Sequence, residues 1–309
     1  MFYENLKKFA GLPVKDYLKT GDITDFSTIC PRVRCEYHGG KDLPDYLNLL
    51  FNEAGIETTL ALVFGMWTNN GDTYEASPQS ALDMMVSYKD HLPALKAFFA
   101  GDIISEENEI SWIGQGDYSA VWSAFPRLEA FTVRGGNSLA LGAISHQALR
   151  KIVIQTGGLD RKNLQEALAA IAPIEHFEVL LGDDNYGANT SPDDFGELLN
   201  DKLFPRLHTL GLCNSQYSDD LAEAIVKSPL LDRIKVLDLS LGTLTDRGAK
   251  ALIDSGRLGH LERLDITHHY VSSDVVAELA RYTPELIAND AQEPDVWDGE
   301  THYYVAVSE

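Results

Sequence analysis

Leu207-His208-Thr209-Leu210-Gly211-Leu212 returns 27 residues later as Ile234-Lys235-Val236-Leu237-Asp238-Leu239. After another 27 residues it returns as Leu261-Glu262-Arg263-Leu264-Asp265-Ile266. Each copy reads L-x-x-L-x-L, a strand whose alternate side chains face a core. A fixed period of this size is the mark of a solenoid, whose units bury their apolar faces against one another. Helical signals keep the same step. Ser218, Thr245 and Ser272 each precede a helical stretch and suit an N-cap. Behind them Leu221/Ile225, Gly248/Leu252 and Val275/Leu279 recur at i, i+4. Strand and helix therefore share one period, and the repeating unit is βα. The expected fold is an α/β solenoid with a parallel inner sheet and outer helices.

Weaker copies extend toward the N-terminus. They are Leu95-x-x-Phe98-x-Ala100, Leu128-x-x-Phe131-x-Val133, Leu149-x-x-Ile152-x-Ile154 and Ile174-x-x-Phe177-x-Val179. Their starts are separated by 33, 21, 25, 33, 27 and 27 residues, so the strand is kept while the connections vary. Upstream, Leu43, Tyr46, Leu47 and Leu50 share one face of a helix over 42–52, opened by Asp42 and Pro44. A strand is predicted over 60–64 and a helix over 77–92. Val33, Cys35 and Tyr37 alternate with Arg34 and Glu36 as a half-buried strand. The chain thus reads as one domain, 1–309, with an N-terminal cap over 1–40 and repeats over 41–288. Residues 102–124 break the pattern and predict an extended excursion. Residues 289–309 predict a C-terminal cap in which His302–Val307 pairs with the last repeat.

The charge narrows the function. With 25 Lys+Arg against 47 Asp+Glu the chain carries −22. A nonspecific nucleic-acid binder needs the opposite sign, and a polybasic membrane anchor does too. No apolar run reaches the roughly 18 residues of a membrane span, and the first residues lack a secretory apolar region. Cys30, Cys35 and Cys213 show no metal-ligand spacing, and three thiols cannot all pair, which predicts a cytoplasmic location.

These motifs resemble the leucine-rich repeat family. Val236-Leu237-Asp238-Leu239 through Leu244-Thr245-Asp246-Arg247-Gly248-Ala249 is similar to its ribonuclease-inhibitor-like type. Across nearly its whole length the chain also resembles a family of uncharacterised bacterial cytoplasmic leucine-rich repeat proteins. The phrases that carry this likeness are Gly101-Asp102-Ile103, Ile110-Ser111-Trp112-Ile113, Val133-Arg134-Gly135-Gly136 and Leu239-Ser240-Leu241-Gly242. The resemblance implies a capped horseshoe and no established activity. Where the family carries Asn or Cys eight residues into the motif, this chain has Gly136, Gly157, Gly182, Ser215, Gly242 and His269. Turn backbone or buried water must then replace an asparagine ladder.

Residues between the core leucines point away from the core. That places Arg134, Gln155, Glu178, Asp238, Ser240, Arg263 and Asp265 on the concave face, with Asp238 and Asp265 neighbours on adjacent strands. The plainer reading of this surface is solvated charge pairs. Trp112, beside Glu106, Glu107 and Glu109, is a candidate docking aromatic if exposed. The remaining motifs carry less. Asp183-Asp184-Asn185-Tyr186-Gly187 fails the calcium-loop pattern at Ala188 and Asp194. His260, His268, His269 and Asp265 lack a zinc spacing. Cys213 near His208 shows no activating partner, and the Gly-Gly pairs are not phosphate loops. No catalytic residue, cofactor or metal is expected. The expected function is a non-enzymatic protein–protein interaction scaffold that takes a partner with a basic surface on its concave face. The alternative is a small-molecule binder or enzyme with the excursion and the tail as a lid.

Overall fold

A computed structural model describes residues 2–74 and 76–308. They form two compact units, one from Met1–Gln155 with Ala169–Pro173, the other from Thr156–Leu168 with Ile174–Ser308.

In the first unit β1 (Lys8–Phe9) folds back antiparallel onto β2 (Leu12–Tyr17). From β2 onward the sheet is parallel and follows chain order. It runs through β3 (Cys30–Val33), β4 (Ala61–Phe64), β5 (Ala97–Ala100), β6 (Ala130–Arg134) and β7 (Lys151–Gln155). Parallel neighbours need crossovers, and α1 (Leu43–Phe51), α2 (Gln79–Ser87) and α3 (Ser119–Ala124) supply three of them, α1 against α2 and α2 against α3. Asp42 caps α1, its N–H donating to the Asp45 carboxylate at 3.2 Å. Leu43, Tyr46, Leu47 and Leu50 are all buried. The weak motif copies are real rungs: Phe98 pairs with Phe131, and Phe131 with Ile152.

Both faces of this sheet are covered. Phe64, Phe98 and Phe131 turn to the helix side, where Trp122 of α3 meets Phe131 edge-on. On the opposite face Cys30, Ala61, Val63, Ala97 and Phe99 form a second apolar cluster, closed over by Leu6, Phe9, Leu12 and Val14. Residues 1–40 therefore do more than the end cap expected from sequence. They add three strands and fold the first residues across the inner face. The strand expected around Val33–Tyr37 ends at Val33. Beyond it Cys35 donates its N–H to the Met66 carbonyl, and Arg34 pairs with Glu107.

A buried charge network fastens this cover. Asp102 is wholly buried. Its carboxylate accepts from Arg32 at 2.7 Å and from the Leu6 N–H at 3.2 Å, while its carbonyl accepts from Asn5 at 2.9 Å. Arg134, 3 % exposed, lies 3.9 Å from the same carboxylate, with its guanidinium 3.7 Å over the Phe2 ring. Burial pulls the Arg134 guanidinium down to about 10, with Asp102 opposing the shift. The 102–124 stretch is accordingly no free excursion. Ile103 and Ile110 are buried, and Gly114 and Asp117 bridge to Asn137 and Ala140.

The second unit carries the regular repeats. Here β8 (His176–Gly182), β9 (Thr209–Ser215), β10 (Val236–Asp238), β11 (Arg263–Asp265) and β12 (Leu286–Ile287) are parallel and in chain order. Leu210, Leu237 and Leu264 stand side by side on consecutive rungs, all fully buried. The unit also holds α4 (Arg161–Leu168), α5 (Gly196–Leu199), α6 (Ser218–Lys227), α7 (Asp246–Asp254) and α8 (Ser273–Leu279), with α6 against α7 and α7 against α8.

Acidic first-turn residues pin each helix to the next. Asp219 accepts the Thr245 N–H at 2.8 Å and its hydroxyl at 2.6 Å. Asp246 does the same for Ser272 at 2.7 and 2.9 Å. Thr245 and Ser272 hold the expected N-cap positions; Ser218 is instead the first residue of α6 and donates to the Ser215 carbonyl at 2.9 Å. There is no room for an asparagine at Gly242, where a Cβ would lie 2.3 Å from the Ser218 hydroxyl. The Thr243 hydroxyl donates to the Ser215 carbonyl at 3.1 Å in its place.

The tail departs from expectation. β13 (Asp295–Trp297) and β14 (Glu300–His302) form their own antiparallel hairpin and add no strand to β12. Residues 303–308 then run back over earlier repeats.

Removing the carboxylate at the centre of the first network leaves the buried Arg134 guanidinium without its neighbouring acid and Arg32 with Asp16 alone, at 2.6 Å. We expect Asp102→Ala to cost about 3–5 kcal/mol, measured by urea denaturation, with a matching loss of protection at the Leu6 amide.

Candidate functional site

The register of the second unit sets its uncovered face. One straight row across the strands is Glu178, Gly211, Asp238 and Asp265, and the row beside it is His176, Thr209, Val236 and Arg263. Neighbouring strands lie roughly 4.8 Å apart, so Asp238 and Asp265 are adjacent like charges, as the 27-residue period predicts. Gly211 lies between Glu178 and Asp238, and a Cβ there would meet the Glu178 side chain at 2.7 Å. Glu178 leans across β9 toward the aspartates, and His176 holds its carboxylate at 2.8 Å.

Asp238 and Asp265 each close a small turn at the strand end. Their Oδ1 atoms accept the Ser240 and Thr267 N–H groups, both at 2.9 Å. Among the described residues no Lys, Arg or His forms an ion pair with either. Burial raises the Asp238 carboxyl above its ordinary range, and Asp265 and Glu178 raise it further, against the Ser240 bonds. Cys213 sits beneath this row, 2 % exposed, and burial holds its thiol far above the usual value. Its sulfur lies 3.8 Å from the Asp238 carbonyl, and Ser240 is buried as well.

The remaining sequence candidates lie in the first unit. Arg134 is not on an open surface: Phe2 covers it, and it donates to Gln155 and to the Ile103 carbonyl, both at 2.9 Å. Gln155 is half-buried beside it. Trp112 is 47 % exposed and packs on Tyr74 at 5.0 Å between ring centres.

Sequence reading missed a cleft of about 460 Å³ at the carboxyl ends of β3 and β4, lined by Arg34, Tyr37, Met66, Asn70, Gly71 and Glu107. Arg34 and Glu107 neutralise each other within it. Among the described residues no three His, Cys, Asp or Glu side chains gather to hold a metal, and no helix is long and apolar enough to cross a membrane.

Neither a protein-family model nor a curated protein matches the chain. The fold is similar to that of a crystal structure of a Bacteroides fragilis protein, with a TM-score of 0.78 and 27% identity. That likeness covers 85% of this chain and 74% of the other.

The raised Asp238 carboxyl has a stability consequence. Its folded form holds the proton more tightly than the unfolded chain, so this contribution is complete below about 3.8 and is lost as pH rises through the folded value. We expect Asp238→Asn to raise Tm at pH 7 and the gain to vanish below pH 3.8, read by thermal melts across pH.

Proposed function

We propose that this chain is a non-enzymatic interaction protein of the ribonuclease-inhibitor-like leucine-rich repeat type, working in the cytoplasm. Its second unit takes a cationic segment of a partner protein along the row Glu178, Asp238 and Asp265. The observation that carries this reading is the pairing of Asp238 with Asp265 on adjacent strands, without a basic partner among the described residues. Two like carboxylates held a strand spacing apart repel, and burial of Asp238 sharpens the repulsion. A Lys or Arg side chain laid between them relieves it. The charge of −22 steers such a partner in from a distance. Arg263 and His176 flank the row and set limits on the partner's own charge pattern. Arg134 takes no part, being enclosed.

A second reading, a small-molecule binder, is favoured by the cleft beside Arg34 and Glu107, to which Glu106 of the 102–124 segment contributes. It predicts a ligand whose binding is indifferent to Asp238 and Asp265.

The test is fluorescence anisotropy with a labelled octalysine peptide at low salt. We expect Asp238→Asn with Asp265→Asn to weaken binding about tenfold, the factor that about 1.4 kcal/mol gives. Asp298→Asn with Glu300→Asn, two exposed carboxylates removed elsewhere, should leave it unchanged. Equal losses in the two pairs would mean general charge attraction and no site.

A further inference from the structure

The path of the tail over the second unit is that of a bound peptide. Asn214, Leu241 and His268 occupy equivalent places, at the end of β9 and just after β10 and β11, and all three have left-handed backbone, with φ of 54°, 65° and 59°. Their N–H groups bond onward to the next rung, to Ser240, Thr267 and Asn289. This column forms a track that residues 304–307 follow, with a bend at Ala306.

The contacts read main chain. The Tyr270 hydroxyl accepts the Tyr304 N–H at 2.9 Å and donates to the Tyr304 carbonyl at 3.0 Å. Ala306 donates its N–H to the Leu241 carbonyl at 2.8 Å. The wholly buried Asn214 amide accepts the Val307 N–H at 2.9 Å and donates to the Val307 carbonyl. Two clamps therefore grip a backbone three residues apart. Alternate side chains enter the fold: Val305 and Val307 are 7 % and 1 % exposed, while Tyr304 points out at 48 %. Backbone bonds with pockets for every second side chain are how proteins recognise extended peptides. The hairpin before this segment is exposed, with Val296 69 % and Trp297 58 % exposed.

We propose that this track is a binding site for an extended peptide of a partner protein with branched apolar residues at alternate positions, Val-x-Val, and that residues 303–308 occupy it in cis. The tail acts as a built-in competitor. A segment on a short tether competes at an effective concentration on the order of millimolar, so the site opens only to a partner that displaces it. This site is separate from the acidic row and does not depend on it.

Ala306→Pro in the full chain removes the central donor and should free the tail. The probe is a fluorescein-labelled peptide with the sequence of residues 302–308, followed by anisotropy, with amide exchange at 304–307 reporting the tail. We expect exchange to rise in Ala306→Pro and the peptide to bind it at least tenfold more tightly than the wild type. Adding Asn214→Leu should abolish that binding. Should Asn214→Leu fail to fold, an unlabelled peptide carrying Val305→Asp and Val307→Asp makes the same test from the ligand's side and should fail to compete. A freed tail with no saturable peptide binding would overturn the proposal, as would a tail that stays protected. Wild-type dimers that form by exchanging tails would assign the track to a second copy and overturn it also.

Discussion

A single βα unit of this chain cannot bury its own apolar side. The strand offers Leu, Leu and Leu on one side, and the helix covers only part of them; the rest must be met by the rung above and the rung below. In-register parallel pairing satisfies that need, because it sets Leu237 between Leu210 and Leu264. Register is strict, since a one-residue slip would turn every core side chain to the other face. The row of acids, the helix pins and the column of left-handed turns are all consequences of this register. Each recurs because the strand that carries it recurs.

Charge is handled in three ways. Asp102 is buried and shared between arginines, with a backbone N–H to complete its shell, as an interior charge requires. Asp219 and Asp246 stand at helix N-termini, where a negative charge is favoured, and also bond the next rung. Asp238 and Asp265 have neither arrangement and are held by the bonds of their own turns. The same residue type thus stabilises in two settings and repels in the third.

The apolar periodicity made the rungs of the second unit legible before any coordinates, down to the pairing of Asp238 with Asp265. Fainter copies such as Leu128-x-x-Phe131-x-Val133 were legible for the same reason. The covering of the first sheet was not. Phe2, Leu6 and Phe9 stand at a helical spacing yet form no helix, and only the fold brings Leu6 and Phe9 over Phe99. Arg134 was misread on the same account: its place on the strand was right, but Phe2 lies over it. The tail misled through its β propensity, of which only His302 enters a strand, in a separate hairpin, while residues 303–308 cross the turns. The 27-residue spacing of Asn214, Leu241 and His268 was visible in the sequence, but their left-handed geometry was not.

The two backbone clamps on the tail also work as a ruler. From Asn214 to His268, whose ring also reaches the Tyr304 carbonyl at 3.2 Å, is two rung steps, roughly 9.6 Å at the usual strand spacing. From Tyr304 to Val307 is three residues, which reach at most roughly 10 Å. The match holds only for the present number of rungs between the clamps. Duplicating one 27-residue module there would lengthen the sheet by a strand spacing that the tail cannot follow. Either Asn214 or Tyr270 would lose its partner. Repeat number, usually free to drift in stacked proteins, is here fixed by a piece of chain that belongs to no repeat.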